Sequence, residues 1–215
     1  MQALKAKIAG WSASFREPTM SGKNQFSLPI PAPSTIYGIL SAAVGKPITP
    51  YQTDIAYSFT SLAKGMDLEK VYQNAGHPTR AGHQQTKTNV LNREWLFNPE
   101  LTIYASDTSL AKSLRKPRFI MTMGRSQDLA AVRNVELVTL EEREDVVFRG
   151  TALPAHRCID KSGKLVALPL WFTTDIPRCA MNTRPYLLHF GPVSLPGKNW
   201  CDPGEDMGVF WHGLG

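Results

Sequence analysis

Residues 33 to 45 read PSTIYGILSAAVG, and this stretch sets the fold. Ile36, Ile39, Leu40 and Ala43 recur at helical spacing, Ser34 stands where an N-cap is wanted, and Gly45 supplies a stop. About three turns of helix follow from that pattern. The helix is nearly apolar all round, so it must be buried. Upstream, Ala3 to Ala9 alternates Leu4, Ala6 and Ile8 with Lys5 and Lys7, the period of a half-buried strand. Between the two, residues 16–33 hold four prolines and Gly22, which leaves an extended irregular loop.

Working downstream, IAYSFTSLA (Ile55 to Ala63) is strand-like by its aromatic and branched content, and a short charged segment, MDLEKVYQ, follows it. Residues 76–93, GHPTRAGHQQTKTNVLNR, carry three bases and two histidines, no acid and no periodicity, and read as an exposed excursion. A strand from Glu94 to Ala105, a short helix near Thr108 to Leu114 and a strand from Arg118 to Met123 complete the series. The order βαββαβ is that of a ferredoxin-like unit. The expected fold is therefore α+β: a ferredoxin-like palm over residues 1–125 with an insertion at 76–93, and a β-rich extension over 126–215 packed on it. After Gly124 a turn capped by Ser126 is expected to open a short helix, QDLAAVR, before strands near Val135 to Leu140, Val146 to Arg149, Leu165 to Phe172 and Tyr186 to Phe190.

At 215 residues the chain is near the upper end of what one core holds, and 16 Gly with 16 Pro argue against a bundle or coiled coil. No run approaches the ~20 apolar residues of a membrane span, and no secretory signal precedes the first strand, so a cytoplasmic location is expected. Three widely spaced cysteines, Cys158, Cys179 and Cys201, form no CxxC pair. Five histidines show no HExxH or HxxxH spacing, and no metal or other cofactor is expected. GPVSLPGKN (Gly191 to Asn199) fails as a phosphate loop: its glycine spacing is long, Asn199 replaces the magnesium-holding hydroxyl, and two prolines delete amides.

The charge is unevenly placed. Lys and Arg outnumber Asp and Glu by 24 to 18, and residues 70–125 alone carry nine bases against three acids, while residues 126–215 carry nine against eleven. Such segregation suggests a footprint for a polyanion, nucleic acid first; a solvated basic face is the alternative. His77, His83, Tyr37 and Lys87 are the residues available for metal-free RNA cleavage. The aromatic pairs Trp95 and Phe97, Trp171 and Phe172, and Phe210 and Trp211 suit core, interface or base stacking.

The run from SFREP through Ser21, Gly22 and Lys23 into LPIPAPSTIYGILSAAVG resembles Cas family five, the RAMP-type, crRNA-handle-binding subunits of type I CRISPR effector complexes (Cascade), with a pattern similar to subtype I-B. TMGRSQDL (Thr122 to Leu129) is similar to the small-residue turn that follows the family's palm sheet, and LPLWF to its C-terminal strand. The resemblance implies an RNA-recognition-like palm with a thumb hairpin at 76–93. It implies a guide-RNA-binding subunit that grips the crRNA 5′ handle, caps the backbone filament, contacts the backbone and large subunits, and meets target DNA only through the complex. Arg16, Ser21, Gly22, Lys23, Arg80, Lys87, Arg93, Gly124, Arg125 and Ser126 are the expected RNA contacts, the alternative for the last turn being that Ser126 only caps and Arg125 is tied to an acid such as Asp128, with Val90 and Leu91 as a wedge at the thumb tip. One branch of the family cuts the handle with Tyr, Lys and His, the last two adjacent. Tyr37 lies on the corresponding helix, but no Lys-His pair occurs here, so a non-catalytic binder is expected, with a metal-free endoribonuclease as the alternative.

Overall fold

Nine residues from Gln2 to Gly10 form the first and central strand, β1. The computed structural model describes residues 1–20, 22–78, 84–158, 161–189 and 191–214, with the backbone alone over 73–78 and 84–87. The chain is α+β, mostly β with few helices. Its main elements after β1 are α1 (Pro33–Val44), β2 (Ile55–Thr60), β3 (Ala63–Pro78), β4 (Gln84–Phe97), β5 (Glu100–Ala105), α2 (Ala111–Arg115) and β6 (Leu129–Thr139).

Five antiparallel strands make the central sheet, in the order Met121–Thr122, β6, β1, β5, β2. Leu4, Ala6 and Ile8 of β1, Ile55, Tyr57 and Phe59 of β2, and Leu101 and Ile103 of β5 share one core with Ile36, Ile39 and Leu40 of α1. Pro33 takes the first helical position, where a fixed φ and a missing N–H cost nothing, so the N-cap is Ala32 and not Ser34. Gly45 ends the helix in the left-handed region at φ 84°, its N–H donating to the Ser41 carbonyl at 2.8 Å.

Several expectations fail here. The segment expected as the helix QDLAAVR is strand: β6 pairs with β1 from Gln2↔Thr139 to Gly10↔Ala130, and that ladder overrides the helical propensity of Leu and Ala. The sheet of the first unit therefore takes a strand from beyond residue 125. The strand expected over Arg118 to Met123 shrinks to Met121–Thr122, leaving Phe119 and Ile120 exposed. The charged segment MDLEKVYQ, left without an element by its sequence, lies on the rising arm of a long hairpin, β3–β4, paired from Ala63↔Phe97 to Pro78↔Gln84. Of the expected excursion at 76–93, residues 76–78 end the rising arm and 84–93 make most of the falling one, and the expected strand Glu94 to Ala105 is split at Asn98, whose φ of 49° turns the chain from β4 into β5.

The lysine face of β1 is also covered. β7 (Asn199–Asp202) and β8 (Met207–Val209) pair with one another, and Trp200, Met207, Val209 and Trp211 pack with Ala3, Ala56 and Tyr104 on the side of the sheet away from α1. Lys5 is only 3% exposed and meets Asp202 at 2.7 Å and Glu205 at 2.8 Å; Lys7 meets Glu205 at 2.7 Å. The first unit's two earliest bases are thus neutralised by acids of the second half. His212 closes the edge of the sheet through backbone hydrogen bonds with Ile55 in both directions. No described helix is long and apolar enough to cross a membrane.

Candidate nucleic-acid interface

A groove opens at the root of the hairpin, where the start of α1, the turn after Met121–Thr122 and the loop after β1 meet. It encloses about 340 Å³ and is lined by Arg16, Arg93, Gly124 and Arg125 from the expected contacts, with Ser34, Thr35 and Phe172. No acidic side chain lines it among the described residues. Four expected residues from three distant stretches therefore converge.

Carboxylates outside the groove's lining anchor the chain around it. Asp128, fully buried, accepts from Nε and Nη2 of Arg125 at 2.9 Å each, from the Arg125 backbone N–H at 3.0 Å and from Ser12 Oγ at 2.6 Å. Burial by itself raises the Asp128 carboxyl, but these hydrogen bonds outweigh it and hold the group below the ordinary carboxylate range. Glu69 binds Arg93 from β3 and stands 3.9 Å from Arg125. Glu94, buried at the base of β4, accepts the Ser27 N–H at 3.1 Å and meets Lys64 at 3.0 Å. Glu17, also buried, pairs with Lys164. Arg16 differs: it is exposed and makes no ion pair among the described residues. No side chain caps α1, and no acid sits in its first turn, so the positive helix end faces this groove uncompensated.

Other expected contacts lie elsewhere. Gly22 and Lys23 are exposed on a loop that docks on the hairpin, the Lys23 carbonyl accepting from the Asn92 N–H at 2.7 Å. Ser21 and Arg80 fall outside the described residues, as does the side chain of Lys87. Ser126 caps nothing, because no helix follows it; it is exposed, 3.4 Å from Gln127 Oε1. Gly124 has φ +117°, and a Cβ there would lie 2.0 Å from the Ser14 carbonyl oxygen, so its close approach is to the chain's own backbone. Val90 and Leu91 are not at the hairpin tip: they pair with Lys70 and Glu69 partway along the arms, Val90 half-exposed and Leu91 buried. Ser34, Thr35 and Phe172 were not among the expected contacts; the prolines leading to Ser34 and the LPLWF run were the signals available.

Tyr37 is buried, its hydroxyl donating to the Thr53 carbonyl at 3.0 Å and the His212 carbonyl at 3.3 Å, and burial pushes the phenol far above its ordinary value. The side chains of His77, His83 and Lys87 lie outside the described residues. Among the described residues no cluster of three His, Cys, Asp or Glu is placed to hold a metal.

The family model described as CRISPR-associated protein (Cas_Cas5) matches residues 3–169. The chain belongs to the CRISPR-associated Cas5 family. No curated protein matches it. Among solved structures, this Cas5 chain is similar to a chain of a CRISPR RNA-guided surveillance complex, at 19% identity and TM-score 0.57 over 91% of each chain. It is also similar to a chain of a Type III-B Cmr-beta complex bound to cognate target RNA and AMPPnP, at 12% identity and TM-score 0.55 over 90% of this chain and 86% of that one. At these identities the likeness is one of fold, shared across nearly the whole Cas5 chain.

Proposed function

We propose that this Cas5 protein is a non-catalytic guide-RNA-binding subunit of a type I CRISPR effector, holding the crRNA 5′ handle and capping the backbone filament against the large subunit. In this reading the central sheet, whose strands run β6, β1, β5, β2, is the ferredoxin-like palm, and β3–β4 is the thumb. The convergence of Arg16, Arg93 and Arg125 on one acid-free groove carries it. Asp128 and Glu69 fix two of the guanidinium planes from behind, Arg16 remains open to a phosphate, and Ser34 and Thr35 offer hydroxyls beside an uncapped helix end. The buried, doubly bonded Tyr37 hydroxyl and the missing Lys-His pair support a binder over a nuclease.

The test is binding of labelled repeat-derived handle RNA to the purified protein in EDTA. Wild type is expected to retain the RNA uncut, and Arg16→Glu to weaken binding and lower the log–log salt slope by about 0.7 for the lost phosphate contact. Unchanged affinity in Arg16→Glu removes the groove from the RNA path; a cut RNA establishes the endoribonuclease alternative.

A further inference from the structure

Beyond Phe172 a second groove runs along the outer stripe of α1. It encloses about 360 Å³, with Gly38 and Ala42 on the helix side and Trp171, Phe172 and Phe119 as walls. Ser34 and Phe172 line both grooves, so the two meet there. Phe172 is 45% and Phe119 58% exposed, so both walls of the groove are open to a ligand. Lys46 and Arg178 line the second groove, no acid does, and neither base makes an ion pair among the described residues. The Trp171 indole N–H is buried there without a described partner. Where a Cβ would stand on Gly38 there is open space, which leaves the helix backbone there accessible.

The family match ends at residue 169, whereas Trp171–Phe172, its partner strand Ala180–Met181 and Arg178 between them follow it. Exposed aromatic faces beside unpaired cations, with hydroxyls from Thr49 and Thr173 and no carboxylate, match the chemistry of single-stranded nucleic acid: bases stack on the rings and phosphates meet the bases' counter-charges. The exposed Ile120, next in sequence to Phe119, and Ile176, between Thr174 and Arg178, would also suit a protein segment, but the one-signed charge and the continuity with the arginine groove favour RNA.

We propose that the RNA held in the arginine groove continues past Phe172 into this second groove, with Phe172 stacking a base at the junction and Lys46 and Arg178 receiving the phosphates beyond it. The inference rests on the reading of the arginine groove as the handle site. Its test compares a short handle RNA with the same RNA lengthened at each end in turn. Phe172→Ala should weaken both by about fivefold to a hundredfold. The double variant Lys46→Glu, Arg178→Glu should spare the short RNA, weaken one lengthened RNA at least several-fold and reduce its salt slope by about 1.4. The charge-neutral pair Lys46→Gln, Arg178→Gln, checked for an unchanged melting curve, should shift in the same direction. If Arg16→Glu weakens every RNA while the double variants bind all of them like wild type, the second groove is off the path and the inference falls alone. If wild type binds no handle RNA, the handle reading falls first and takes this one with it. Normal RNA binding by the double variants with loss of a co-purifying subunit shows a protein occupant and overturns the proposal.

Discussion

Asp128 has no exposed surface, yet it receives three hydrogen bonds from Arg125 and one from Ser12, fixing a guanidinium at the lip of the arginine groove. Removing one partner of such a pair leaves the other uncompensated. Asp128→Ala is expected to cost about 3–5 kcal/mol in urea unfolding. Arg125→Ala in the Asp128→Ala background should cost much less than in wild type, and additive costs in that cycle would show the pair to be energetically separate.

The pH dependence separates two buried groups. His212, stacked on Tyr57 and pushed down to about 3 by burial and secondarily by the charge of Arg184, stays neutral when folded, whereas in the unfolded chain it binds a proton below about 6.5. Stability should therefore fall as pH drops through that interval. Asp128, depressed in the folded state, contributes fully above about pH 3.9 and loses its contribution as pH falls through its native value. His212→Phe should flatten the stability profile between about pH 6 and 4, and Asp128→Asn only below about pH 4. Urea midpoints across the range read both.

Gly124 is a structural requirement. Any side chain there takes a left-handed φ, at about 1–3 kcal/mol, and drives Cβ into the Ser14 carbonyl. Gly124→Ala should lower the melting temperature by several degrees and Gly124→Val should give little folded protein, so loss of RNA binding in either variant reports on folding. A Gly124→Val chain with wild-type melting would contradict this geometry.

Leu91 and Val90 should part company. Leu91 is 8% exposed and Val90 46%. Leu91→Ala is expected to cost about 2 kcal/mol or more, and Val90→Ala about 0.5 or less. Equal small effects on folding with equal large effects on RNA affinity would restore both to a wedge role.

What the sequence made legible follows from where apolar spacing is forced. α1 was readable because Pro33 and Gly45 bracket residues that must face a sheet, and β1 because its alternation matches one buried face. The rising arm β3 was not, since the exposed Met66, Leu68 and Tyr72 stand on a hairpin reaching away from the core, where burial imposes no pattern. β6 was misjudged because Leu129, Ala130 and Ala131 favour helix locally, and only pairing with a strand over a hundred residues earlier decides otherwise. In the groove, Arg16, Arg93 and Arg125 stand out by charge and Asp128 is the acid the sequence offers Arg125, a pairing the structure contains, but Glu69 beside Arg93 is not legible, because a linear count cannot say which distant acid lies behind which base. The same blindness hid the neutralisation of Lys5 and Lys7.

That last pairing has a consequence for biogenesis. Lys5 leaves the ribosome well before Asp202 and Glu205, its closest partners, the last of them 200 residues further along the chain. Until they emerge, an ammonium group on the central strand has no counter-charge and one face of the sheet has no cover, and contacts of such long sequence separation form slowly. The native state is thus reached only after residues 199–209 have been synthesised, and a nascent chain stalled short of residue 199 would expose the apolar surface of Ala3, Ala56 and Tyr104 to chaperones or to other nascent chains.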